Sequence, residues 1–119
     1  MATVAPVKDT TITGGTRVVV TFTGMANGDT ITPLYLGHAA GAVLAIQFTA
    51  NAGGTTTAQV SIDKTNWATL KDVTGTDVSV ASGGTGYFEC STAAPWLRFL
   101  PATGVTASTA KVSMIEASD

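Results

Sequence analysis

From Arg17 onward this chain alternates. Arg17 to Thr23 (RVVVTFT) sets Val18, Val20 and Phe22 on one side and Val19, Thr21 and Thr23 on the other, as in a strand with one buried face. Val43 to Ala50 repeats the pattern, with Leu44, Ile46 and Phe48 opposite Val43, Ala45, Gln47 and Thr49. Thr30 to Leu36 is a further extended run, in which Pro33 favours an edge or a bulge. Thr57 to Ile62 offers Val60 and Ile62 inward. Trp67 to Leu70, Asp77 to Val80, Gly86 to Ser91, Trp96 to Leu100 and Ala110 to Ala117 complete the series. No window shows a helical period with a cap at each end. About nine short strands between turn signals predict a single all-β domain, a sandwich or a barrel.

Gly14-Gly15-Thr16, Gly53-Gly54-Thr55 and Gly83-Gly84-Thr85 each stand just before a strand. Glycine supplies the positive φ of a tight reversal, and threonine opens the strand that follows. A phosphate loop would instead open a helix, with a lysine close behind. Residues 1–13 differ from the rest, with Pro6, isolated valines and no strong alternation. They read as an N-terminal arm that orders on a neighbouring molecule or as an edge strand, ahead of a β-sandwich domain over 14–119.

Composition narrows the function. Charged residues make up 12% of the 119, against an ordinary share of roughly 25%. A net charge of −2 and a pI near 5.1, with lysines and arginines scattered singly, argue against a nucleic-acid binder, which needs a basic stripe. Cys90 is the only cysteine, so neither an internal disulfide nor a zinc cluster is expected. Met1 to Thr11 has no basic start leading into a hydrophobic run. The longest apolar stretch, Ala39 to Ile46, is too short for a bilayer. We expect no membrane contact and synthesis in a reducing cytoplasm. The neutral, threonine-rich surface suits burial against other proteins.

Chemistry is sparse. His38 sits in a connector (LGHAAG) without an oriented base or nucleophile elbow nearby, and reads as a loop residue. The aspartates fall at strand ends. Asp63 is placed to brace the turn Asp63-Lys64-Thr65-Asn66, with Asn66 tolerating a left-handed backbone. Asp72 and Asp77 bracket a second reversal. No metal, cofactor or small-molecule substrate is implied. Cys90 shares a strand face with Phe88 and reads as a buried thiol, leaving Tyr87 and Glu89 outward. Trp67, directly after the turn, reads as a plug for one end of a thin core. Trp96 and Arg98 share one face of WLRFL, with Leu97 and Phe99 on the other. They are either stacked over the core or a contact patch, Trp and Arg being enriched at binding hot spots.

The segments NGDTITPLYL, VLAIQFTA, AQVSIDKTNWATLKDVTGTDVSV, YFECSTAAPWLRF and STAKVSMIEA follow one another in that order. Over Arg17 to Ala117 the order resembles small structural proteins of tailed-bacteriophage heads. More distantly it is similar to galactose-binding-like jelly rolls. Where the group often carries Asp-Gly in the turn, this chain has Asp63-Lys64, and Trp96-Leu97-Arg98 replaces Tyr-Ile-Arg. The resemblance implies a single antiparallel β-sandwich, jelly-roll-like. It implies a non-enzymatic capsid decoration, or cement, protein on the virion exterior, bound to the major capsid protein as a homotrimer. Contacts are expected from Thr3, Val4, Ala5, Pro6 and Val7, and from the row around Trp96 and Arg98. Asp63, Asn66, Trp67, Phe88 and Cys90 are expected to be structural. The alternatives are a carbohydrate-binding module on a tail or fibre, built on Trp67, and a head–tail component.

Overall fold

The computed structural model describes residues 2–14, 17–37 and 43–115. Twelve strands run in order: β1 (Thr3–Val4), β2 (Val7–Gly14), β3 (Arg17–Met25), β4 (Thr30–Ile31), β5 (Leu34–Tyr35) and β6 (Val43–Ala52). They continue as β7 (Thr56–Ser61), β8 (Ala68–Thr69), β9 (Ser79–Val80), β10 (Gly86–Ser91), β11 (Trp96–Pro101) and β12 (Ala107–Ile115). The count exceeds the sequence expectation of nine for two local reasons. The N-terminal segment supplies β1 and β2, and the run Thr30 to Leu36 divides around Thr32-Pro33, because proline donates nothing to a ladder.

One sheet has the order β10-β6-β12-β3-β2, and the other β5-β11-β7-β8, with β9 also on β7. All their pairings are antiparallel. Without β2, the two orders are those of a jelly roll: each strand's sequence neighbour lies in the opposite sheet, except across the β7–β8–β9 reversals. The fold is thus the all-β sandwich expected, with β2 added beside β3.

The alternation predicted for β3 and β6 holds. Val18, Val20, Phe22, Leu44, Ile46 and Phe48 are buried between the sheets, together with Leu97, Phe99, Ala110, Val112 and Met114. Phe99 from the second sheet meets Phe22 at 5.1 Å and Phe48 at 5.5 Å, both edge to face, the arrangement ring quadrupoles favour. One inward assignment fails. Ile62 is 79% exposed, because β7 ends at Ser61 and the backbone turns away before the next inward position.

The strand of residues 30–35 separates from β11 at its first half. Leu34 and Tyr35 pair with Leu97 and Trp96, but Thr30 and Ile31 pair in parallel with Thr3 and Val4. The amides of Thr30 and Thr32 donate to Ala2 and Val4. A groove of about 340 Å³ is left between residues 27–31 and 98–101.

Candidate functional site

The outer face of the second sheet brings three aromatic rings and two cations together. In β11, Leu97 and Phe99 point into the core, so Trp96, Arg98 and Leu100 point out. Register then selects their neighbours: Tyr35 and Ser61 lie beside Trp96, and Gln59 beside Arg98. Tyr35 and Trp96 have ring centroids 4.9 Å apart. Arg98 Nε donates to Gln59 Oε1 at 2.9 Å. Two residues from the β7–β8 turn complete the face. The Lys64 ammonium lies 4.4 Å from the centroid of Trp96, and the Arg98 guanidinium 4.2 Å from that of Trp67. Both are cation–π distances. Burial lowers the pKa of Arg98 from its ordinary value, and a guanidinium keeps its charge regardless.

Trp67 therefore departs from the core plug expected of it. It is half-buried and lies on the outside, under Arg98. The reason is register: the turn delivers it to the sheet's outer surface, where a guanidinium covers one ring face. Trp96 and Arg98 take the outward positions read from the sequence. Lys64, Tyr35 and Gln59 went unnoticed there, although pairing of β11 with β5 and β7 would have placed the last two.

The turn holding Lys64 and Trp67 is stiff. Asp63 Oδ1 accepts from the Ser61 hydroxyl and the amides of Thr65 and Asn66, and Oδ2 from Asn66 Nδ2, all at 2.9 Å. Ser61 Oγ accepts from the amides of Asp63 and Lys64. Asn66 serves as a donor, and the left-handed residue is Lys64, at φ 63°. The expectation for Asn66 is corrected accordingly: its side chain is committed to Asp63, so the reversal falls two residues earlier.

Other carboxylates are similarly engaged. Asp72 Oδ1 accepts from the amides of Thr74 and Thr76 and from the Thr74 hydroxyl. Asp29, on the groove wall, accepts from the amides of Ala2 and Ala26, and no second carboxylate lines that groove. Lys71 pairs with Asp77. Among the described residues no His, Cys, Asp and Glu side chains cluster as a metal would require. His38 lies outside the described residues.

These bonds hold three carboxyls below the ordinary aspartate value of 3.8. The Asn66 amide leads for Asp63, the Thr74 hydroxyl for Asp72 and the Ala2 amide for Asp29. A depressed folded-state pKa stabilises the fold above the unfolded value, and that stability is lost as pH falls through the folded one. Melting temperature is expected to hold from neutral pH down to about 4 and to decline below it. In Asp63→Asn the decline should be shallower. Circular-dichroism melts across pH check this, and an identical acid profile in the variant counts against the turn as a cause.

Cys90 is fully buried, and Phe88 packs half-buried against the same core, 6.1 Å from the Phe48 ring. Burial, and then the charge of Asp72, push the thiol up to about 11. A protonated, enclosed thiol is a poor nucleophile. Ellman's reagent is expected to leave Cys90 unmodified in native protein and to react with it in denaturant.

Thr3, Val4, Ala5, Pro6 and Val7 lie along this domain. Val4 packs against the core, Ala5 and Pro6 join β1 to β2, and Val7 is 66% exposed beside Thr21. Val7 opens a row across the first sheet's outer face, continued by Thr21, Lys111, Gln47 and Tyr87.

No protein-family model and no curated protein matches the chain. Among solved structures it is similar to a chain from Bacillus endospore appendages, a novel family of disulfide-linked pili. Identity is 17%, coverage is 97% of this chain and 91% of that one, and the TM-score is 0.39. A likeness at that level carries no argument about function.

Proposed function

We propose that this chain is a non-enzymatic virion protein, a capsid decoration or cement protein that binds the major capsid protein on the outer shell. The observation that carries the reading is the outer face of the second sheet. Three aromatic rings and two cations meet on a rigid strand and a rigid turn, a composition typical of protein hot spots. Among the described residues, the carboxylates at the turns are engaged with their own loops, which leaves that face as the most distinctive chemistry. The resemblance to phage head proteins supplies the shell as partner. Association as a homotrimer would bury further neutral surface, for which the row from Val7 to Tyr87 offers an uncrowded sheet face. Many such subunits across the seams of a shell would reinforce it through multivalency.

Quantitative mass spectrometry of purified virions tests the reading. Copies in proportion to capsomers are expected; a handful of copies would replace the reading with a tail or connector role, and none would remove it. Removing residues 1–4 is expected to release the protein from shells. Because Val4 and the β1–β4 bonds go with them, stability should fall by about 1–3 kcal/mol while the fold persists. Full occupancy by the shortened, folded protein would remove the arm from the interface. A glycan module on Trp67 would require its ring to be open for stacking, and Arg98 already covers one side of it.

A further inference from the structure

The two stacks on the second sheet carry information about what they meet. Lys64 occupies the left-handed region, which glycine enters freely and a side chain enters at a cost. Among the described residues it is the one non-glycine so placed. Strain of this kind persists where the surroundings enforce it, and is concentrated at ligand contacts. The six hydrogen bonds of the Asp63 turn enforce it here, fixing the backbone from which the Lys64 ammonium reaches over Trp96.

Among the described residues neither Lys64 nor Arg98 is paired with an acid; their contacts are the two rings and Gln59. Asp63 gives both oxygens to its own turn, and Asp77 is taken by Lys71. Arg98 commits Nε to Gln59, which leaves its two terminal nitrogens as a planar fork. Tyr35 and Leu100, each 44% exposed, flank the pair.

We propose that the outer face of the second sheet docks an acidic segment of a partner protein, whose carboxylates pair with Lys64 and Arg98 while its apolar side chains cover Tyr35, Trp96 and Leu100. The proposal rests on the adhesive reading above, though not on the partner being a capsid. Charge complementarity argues for it: two positioned positive groups without acids, set among rings, match carboxylates set among apolar residues. A nucleic-acid backbone is the poorer occupant, because its binding draws on many phosphate contacts and this face supplies two cations.

The test exploits the chain's two tryptophans, since Trp67 and Trp96 both belong to the face and their emission reports on it directly. The full chain is titrated with short peptides alternating glutamate and valine, with matched glutamine–valine and lysine–valine peptides, and with heparin. A saturable emission change with the glutamate peptide is expected, weakening as salt rises. The glutamine and lysine peptides should give none, and heparin a weaker response.

Arg98→Gln is expected to lose about tenfold or more in affinity. Arg98→Lys, which keeps the charge and loses the fork, should fall between. Lys64→Gly is expected to weaken binding about threefold to tenfold with a melting temperature no lower than that of the unaltered chain. A merely structural lysine would not part binding from stability in that way.

Silence toward the glutamate peptide, equal response to glutamine, preference for heparin, or unaltered binding by Lys64→Gly and Arg98→Gln would each overturn the proposal. Virions that lack the protein, with peptide binding intact, would remove the capsid reading and leave the acidic-segment site standing. Shell binding that survives both variants would remove the site and leave the capsid reading.

Discussion

Asn51→Ala is expected to cost about 3–5 kcal/mol of folding stability, measured by chemical denaturation. Asn51 is 5% exposed, buried between exposed neighbours at the end of β6. Its amide nitrogen donates to the carbonyls of Gly54 at 2.8 Å, Ala81 at 2.8 Å and Val80 at 3.2 Å, with two hydrogens shared among three acceptors. Its Oδ1 accepts from the Thr56 hydroxyl at 2.8 Å, and Thr56 is itself fully buried. One side chain thus closes the β6–β7 turn and ties it to the end of β9. Truncation strands the buried Thr56 hydroxyl and takes a donor from the Val80 and Gly54 carbonyls, while the Ala81 carbonyl keeps the Gly84 amide, and unpaired buried groups cost more than paired ones contribute. Asn51→Asp is expected to be at least as damaging at neutral pH, since it sets a carboxylate against those carbonyls. A loss below about 1 kcal/mol for Asn51→Ala would mean that solvent reaches the site and restores the bonds.

Gly53→Ala, two residues on, is expected to lower stability by about 3 kcal/mol or more, through a different cause. Gly53 has φ +94°, and a Cβ there would lie 2.1 Å from the carbonyl oxygen of Gly104. Gly104, at φ +95°, faces Gly53 in return, and its own Cβ would lie 2.6 Å from the Gly53 oxygen. The β6–β7 and β11–β12 turns meet backbone to backbone, and neither has a flexible side chain that could give way. Gly75→Ala is the control. Its φ is +88°, but nothing stands within 4 Å of the added carbon, so it should lose only the conformational part, about 1–2 kcal/mol. Equal losses at the two positions would show that the approach of the turns is soft. Asn51 and Gly53 share a turn, so the double variant should fall short of additivity.

The alternation of Val18, Val20 and Phe22, and of Leu44, Ile46 and Phe48, made the sandwich readable, because a half-buried strand leaves a two-residue signature wherever it lies. The turns were readable in kind, since Asp63 and Asp72 sit where a carboxylate can collect amides. Residue-level detail was harder. Which of Lys64 and Asn66 takes the left-handed conformation depends on where Asn66 spends its side chain, and composition does not encode that. Trp67 looked like core because large rings usually are. Its true position depends on Arg98, thirty-one residues away, and such a pairing is defined only once β7 and β11 are in register. Outward residues of β11 were legible from the buried Leu97 and Phe99, whereas Tyr35 and Gln59 joined them only through the sheet.

The seating of β12 between β3 and β6 has a kinetic consequence. The first sheet has no continuous centre until β12 slides between two strands that lie far before it in the sequence. Before that insertion, β3 and β6 lack the strand that joins them, and each presents a bare ladder edge. Loop closure between strands distant in sequence precedes the reward from contacts, which predicts folding in milliseconds to seconds where a helical bundle of similar size takes microseconds. During that interval the nascent molecule is open to capture by another copy of itself.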